Sequence, residues 1–125
     1  MTLDRSTITI LVVEDEALPR LDLAEELRRA GYDVREASSA EEALAHRRDG
    51  QRIDAIITDI QLGGELTGWD VADRFRAMDP RIPIVYTSGK STDRARRVAG
   101  SIFFGKPFRT IDVVRACRSF GSVGP

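Results

Sequence analysis

Cysteine is nearly absent from this 125-residue chain. Cys117 is the only one, so no disulfide framework and no thiolate metal site can form within it, and the residue reads as a small buried apolar side chain. Histidine is just as scarce: His46 stands alone, in the polar run Ala45-His46-Arg47-Arg48, and reads as a surface residue. A single imidazole without a cysteine cluster excludes the usual zinc ligand sets. Apolar runs are strand-sized, far short of the roughly 20 residues that span a bilayer, and residues 1–7 lack the basic segment and long apolar stretch of an export signal. A cytoplasmic, reducing location is expected, with no membrane partner. Charge of one sign is lacking too. The 19 basic and 20 acidic side chains leave a net charge of −1, which gives no field that would draw the chain to nucleic acid. Partners must be recognised by local sites.

What the chain does have is a repeated pattern. Apolar runs at 8–13, 34–37, 53–58, 82–87 and 101–104 are each followed by a segment of helical period. The first, third and fourth are continuous and rich in Ile and Val, as strands covered on both faces should be. Leu18, Leu21, Leu23, Ala24 and Leu27 precede a helix stop at Gly31, and Ser39-Ala40-Glu41-Glu42 reads as a capping box. Further helices are expected over 69–78, 92–99 and 110–120. The alternation predicts an α/β fold: a doubly wound, five-stranded parallel sheet of order 2-1-3-4-5, flavodoxin-like, with right-handed crossovers. Residues 8–120 form the expected domain, with tails at 1–7 and 121–125 and no separate output domain.

In such sheets, sites lie at the carboxyl ends of the strands. After the first strand come Glu14, Asp15 and Glu16; after the third, Asp59; after the fourth, Thr87-Ser88-Gly89; after the fifth, Lys106-Pro107. The predicted order makes strands 1 and 3 neighbours, so Glu14, Asp15 and Asp59 converge, and carboxylates this close repel unless a cation or proton sits among them. Oxygen-only ligands point to Mg²⁺. A carboxylate beside that cation, a fixed Lys106 and a Ser88 hydroxyl can act as a nucleophile toward phosphorus, giving an acyl phosphate.

The runs ILVVEDE, IITDIQL, PIVYTSG and FFGKPF, spread over nearly the whole chain, resemble the motifs of two-component response-regulator receiver domains. The resemblance implies that Asp59 is the phosphoacceptor, that Glu14 and Asp15 are the acidic pair, and that the Gln61 main-chain carbonyl completes the protein ligands of Mg²⁺. It further assigns Ser88 as the switch hydroxyl, with Thr87 the alternative, Lys106 as the phosphate-binding lysine, and Phe103 as the switch aromatic. It also implies a cis Lys106-Pro107 peptide and an output surface on the fourth helix, fifth strand and fifth helix, where Arg94, Arg96 and Arg97 would either be solvated or meet a partner. Two departures stand out. The segment from Asp59 to Trp69 is about one residue longer than the commonest form and lacks its proline, and Phe103 replaces a tyrosine. Trp69 itself reads as core packing or a loop anchor.

The expected function is a phosphoacceptor switch rather than an enzyme. Its donor would be a histidine kinase or histidine phosphotransfer protein, because His46 is remote from the strand ends, and its output would be a downstream protein target. An aspartyl-phosphate-forming hydrolase is the alternative, disfavoured because Gln61 stands where a second acid would be needed. A flavin-binding module would need a phosphate loop where Glu14-Asp15-Glu16 stands. A pseudo-receiver, with the fold but without phosphorylation, remains open.

Overall fold

The computed structural model describes residues 7–90 and 94–121. Its elements are β1 (Thr9–Val13), α1 (Ala17–Arg29), β2 (Asp33–Ala37), α2 (Ala40–Arg48), β3 (Ala55–Asp59), α3 (Gly68–Met78), β4 (Ile84–Ser88), a 3₁₀ turn (Arg94–Arg96), β5 (Ile102–Gly105) and α4 (Thr110–Gly121). The sheet is parallel, with order β2-β1-β3-β4-β5, as the sequence predicts. The three central strands, β1, β3 and β4, are buried along their whole length, which is why they read as continuous apolar runs. β2, at one edge, exposes Asp33 and Arg35 and buries Val34 and Ala37.

Side-chain alternation along the strands divides the core in two. Leu11, Val13, Ile56, Ile84 and Tyr86 meet Ala43, Leu44, Val71 and Phe75 of α2 and α3 on one face. Ile10, Val12, Ile57 and Val85 meet Leu23, Leu27, Val113 and Cys117 of α1 and α4 on the other. Burial pushes the Cys117 thiol up to about 12, so it is the inert apolar side chain expected of it.

Helix ends follow local chemistry. α1 stops in a Schellman motif: Tyr32 N donates to the Leu27 carbonyl (3.1 Å) and Gly31 N to that of Arg28 (3.0 Å), with Gly31 at φ +102°. At α2 the Ser39 hydroxyl accepts from Glu42 N (3.0 Å), but Glu42 reaches back to the amide and hydroxyl of Ser38 rather than to Ser39, so the expected box is displaced by one residue. The complete box lies instead at α3, where Thr67 Oγ1 accepts from Asp70 N and Asp70 Oδ2 accepts from Thr67 N (2.7 Å).

The fourth predicted helix is the main departure. Thr92 lies outside the described residues, and over 94–99 only a single 3₁₀ turn forms. This stretch has little apolar surface to bury as a helical stripe, and packing of such a stripe is what sustains most short helices. Tertiary contacts hold it instead. Arg96 bridges Asp70 (3.4 Å) and Asp73 (2.7 Å) on α3, Arg97 Nε donates to Ser101 Oγ (3.0 Å), and Val98 N donates to the Tyr86 hydroxyl (3.1 Å).

The hydrogen bond from Thr67 N, with help from the Thr67 hydroxyl and Arg96, holds the Asp70 carboxyl below the usual carboxylate range despite some burial. Its folded pKa is depressed, so its stabilisation is present above the ordinary carboxylate range and lost as pH falls through the folded value. Thr67→Ala should cost about 1 kcal/mol in urea unfolding at neutral pH. The gap between wild type and Asp70→Asn, measured the same way, should narrow as the pH is lowered below 4.

Candidate functional site

The carboxyl ends of β1, β3 and β5 meet around one cluster of charge. Glu14 follows β1 directly, and its amide continues the ladder to the Ala37 carbonyl of β2 (3.0 Å). Its carboxylate accepts from Glu16 N (3.1 Å), and its carbonyl accepts from the Arg20 guanidinium of α1 (3.0 Å). Asp59 ends β3, and its Oδ1 accepts from Gln61 N (3.3 Å). The backbone around it is tightly packed. Gly68, the first residue of α3, donates to the Ile60 carbonyl (2.8 Å), and a Cβ at Gly68 would lie 2.2 Å from the Asp59 carbonyl oxygen. Only glycine allows α3 to start against the end of β3. From β5, Lys106 N donates to the Ser88 carbonyl (2.7 Å), which aims its side chain inward.

Carboxylate oxygens of Glu14, Asp15 and Asp59 lie within 4.8 Å of one another. Lys106 Nζ donates to Glu14 Oε1 (2.9 Å) and Asp59 Oδ2 (3.0 Å), tying together groups 92 and 47 residues apart. Glu14 and Asp59 side chains are 9% exposed, so these are partly desolvated ion pairs. Burial raises the Glu14 carboxyl above the usual range, although Lys106 and the Glu16 amide pull the other way. Burial also works to lower Lys106, but its hydrogen bonds to Glu14 and Asp59 outweigh that and hold the ammonium above its ordinary value. One ammonium thus faces three carboxylates, and the negative charge still in excess, presented on oxygen alone, fits a hard divalent cation.

Other residues singled out in the sequence are placed unevenly. Gln61 reaches the cluster through its amide. Ser88 is 2% exposed, and its hydroxyl is engaged with the main chain of Lys90 (both contacts 3.2 Å) rather than with the carboxylates. Thr87 pairs with Asp59 across β3 and β4. Phe103 is half-buried against the α2–α3 core, and the Arg94 guanidinium lies 3.8 Å over its ring. A phenylalanine without a hydroxyl therefore has a polar partner after all. Trp69 is buried against Tyr86, their ring centroids 4.6 Å apart. His46 is half-buried rather than freely exposed, its ring nitrogens against the Glu36 carbonyl and Gln51 Oε1 (both 3.1 Å). Lys106-Pro107 is cis. Sequence reasoning missed Gly68 and Arg20, and it read Arg94 as solvated or partner-facing, where the structure stacks it on Phe103. Only Gly68 left a trace, as the glycine at the foot of the Trp69 helix.

Beside Lys106 a groove of about 430 Å³ runs between α1 and the β5–α4 turn, lined in part by Pro19, Leu23, Gly89, Pro107 and Phe108. Leu18 and Leu21 of α1 are exposed (81% and 44%).

A five-stranded doubly wound parallel sheet of this order, with polar side chains gathered at the carboxyl ends of its strands, defines the flavodoxin-like class of α/β domains. Residues 10–118 match the response regulator receiver domain, and the chain belongs to that family. A receiver protein from Sinorhizobium medicae is 35% identical, with a TM-score of 0.89 over 94% of this chain and 96% of that one. The transcriptional regulatory protein PdtaR of Mycobacterium tuberculosis is 33% identical over 86% of this chain, and the sensor kinase CckA of Brucella abortus 33% over 80%. The chain spans 53% of the length of PdtaR and 11% of that of CckA. Among the described residues, no helix is long and apolar enough to cross a membrane.

Gly68→Ala should push α3 away from β3 and cost about 1–3 kcal/mol, the usual range for overpacking. Its amide spectrum should change at Asp59, Ile60 and Gln61 more than at β2.

Proposed function

We propose that this receiver domain is a phosphorylation-dependent signalling switch in which Asp59 accepts a phosphoryl group from the phosphohistidine of a histidine kinase or histidine phosphotransfer protein. The observation that carries this reading is the convergence of Glu14, Asp15 and Asp59 at the carboxyl edge of the sheet, with Lys106 bridging Glu14 and Asp59. An Asp59 carboxylate oxygen attacks phosphorus, the P–N bond breaks, and its electron pair returns to the donor imidazole. Glu14, Asp15, Asp59 and the Gln61 carbonyl would hold Mg²⁺, which supplies positive charge to the phosphoryl oxygens. Lys106 is the cation already at hand, and on transfer it exchanges a carboxylate partner for a phosphoryl oxygen. The groove beside Lys106, with the exposed leucines of α1, suits the helix that carries the donor histidine. The protein is a cytoplasmic switch, not an enzyme acting on a separate substrate.

Output follows from Ser88 and Phe103. A phosphoryl group on Asp59 offers the Ser88 hydroxyl a stronger acceptor than the Lys90 carbonyl. Moving Ser88 vacates space beside β4, and Phe103 rotates into it, leaving Arg94. The surface of the 3₁₀ turn, β5 and α4 changes with it and meets the downstream target. A bias of a few kcal/mol is enough to invert a two-state population.

With acetyl phosphate and Mg²⁺, intact-mass measurement should show about one phosphoryl group per chain and none on Asp59→Asn. Equal labelling of the two would remove Asp59 from the acceptor role. Mg²⁺ at ten times its Kd should raise stability by about 1.4 kcal/mol in wild type, and less in Asp15→Asn.

Beryllofluoride, a phosphoryl mimic, should shift amide resonances over 94–98 and 102–105. Ser88→Ala should still be labelled but show smaller shifts, and Arg94→Ala should shift Phe103 before any ligand is added. Full modification without these shifts would indicate a carrier of phosphate rather than a switch.

A further inference from the structure

We infer that Arg20 is a positioning residue for the cation site, holding the Glu14-Asp15 peptide in place while Glu36 keeps its charge out of the carboxylate cluster. This rests on the reading of the site given above. Glu14 and Asp59 are each fixed by Lys106 and by a neighbouring amide. Asp15 is not. Its side chain is exposed, and among the described residues no hydrogen bond or ion pair of that side chain is seen. Its position depends on the backbone that precedes it. The Glu14-Asp15 peptide is planar, so fixing its carbonyl fixes the plane from which Asp15 departs. That carbonyl accepts from Arg20 Nη1 at 3.0 Å, while the Glu14 amide is held separately by Ala37 of β2.

The guanidinium is itself held. Arg20 Nε donates to Glu36 Oε1 at 3.2 Å, and its side chain is only 18% exposed. Glu36 also receives Arg28 through Oε2 (3.2 Å), and Arg28 in turn donates to the Val34 carbonyl. The chain Arg28–Glu36–Arg20–Glu14 therefore runs from the edge strand to the cluster. Its order matters electrostatically. An arginine without Glu36 could fold onto Glu14 or Asp15 and occupy oxygens that a cation needs, whereas one paired with Glu36 offers the cluster a donor with little net charge.

Two effects of removing Arg20 oppose each other. Losing a positive charge would favour a divalent cation, and losing the carbonyl anchor would disfavour it. Because the charge is already offset by Glu36 at ion-pair distance, the anchor should dominate.

The test is a Mg²⁺ titration of the full chain by calorimetry and by the amide shifts of Asp15 and Gln61. The proteins are wild type, Arg20→Ala, Arg20→Lys and Glu36→Gln, with melting temperatures recorded without metal. Arg20→Ala should weaken Mg²⁺ about tenfold, at the low end for groups that orient metal ligands. Arg20→Lys, which keeps one donor, should recover part of that. Glu36→Gln should weaken binding in a way that added salt relieves, because a freed arginine competes as an exposed charge. Labelling by acetyl phosphate in Arg20→Ala should need more Mg²⁺ for half-maximal rate yet reach a saturating rate within about twofold of wild type. Unchanged or tighter Mg²⁺ binding in Arg20→Ala would overturn the inference. So would a fall in saturating rate and melting temperature with no change in Mg²⁺ dependence. If Arg20→Ala does not fold, Glu36→Gln decides by the same criteria. Wild-type protein that takes up no Mg²⁺ would instead remove the reading of the site itself.

Discussion

Three carboxylates that cannot share a small volume without positive charge are the constraint from which the rest of the site follows. Strand order puts Glu14 and Asp15 beside Asp59, and their repulsion grows as burial removes water from Glu14 and Asp59. Lys106 relieves part of it from the far side of β4, which requires β5 to end in register with β4, as the pairing of Ser88 with Gly105 and the Lys106–Ser88 backbone bond ensure. The sheet is thus ordered around electrostatics at one edge, and the two apolar layers hold that edge together against the repulsion.

The same edge is connected to the surface around β5. Tyr86, on β4, packs on Trp69 and accepts from Val98, while Arg96 ties that segment to Asp70, whose partner Thr67 caps α3 beside Asp59. α3 is therefore in contact with the site through Gly68 and with the 94–98 segment through Asp70 and Asp73. A displacement at either end has a route to the other through packed groups rather than through a loop.

The strands and the acidic cluster were legible because they rest on strong, local signals. Ile10, Leu11, Val12 and Val13 form a short run, rich in β-branched residues and ended by acids, which favours a covered strand, and an acid directly after such a strand has one edge of the sheet to occupy. Strand starts were less legible. Ile53 and Ile82 belong to apolar runs yet precede β3 and β4, contributing to the core from the turns. The 92–99 segment read as helix because its composition permits one; what it lacks is an apolar stripe, and its contacts to Asp73 and Tyr86 join residues 23 and 12 positions apart, which no local pattern records. Gly68 and Arg20 were missed for a similar reason. A glycine needed for a close approach and an arginine that caps a carbonyl differ from ordinary loop and surface residues only once their neighbours are in place.

The separation of 92 residues between Glu14 and Lys106 bears on when in a chain's life this site can exist. During synthesis from the N-terminus the acidic pair and Asp59 emerge long before the lysine that bridges them, and β5 cannot join the sheet until its own residues have left the ribosome. A nascent chain stalled before Lys106 therefore carries the acids without the bridge. Assembly of the cluster reports that translation has passed the fifth strand, so an unfinished domain has no means of presenting a completed site to a partner.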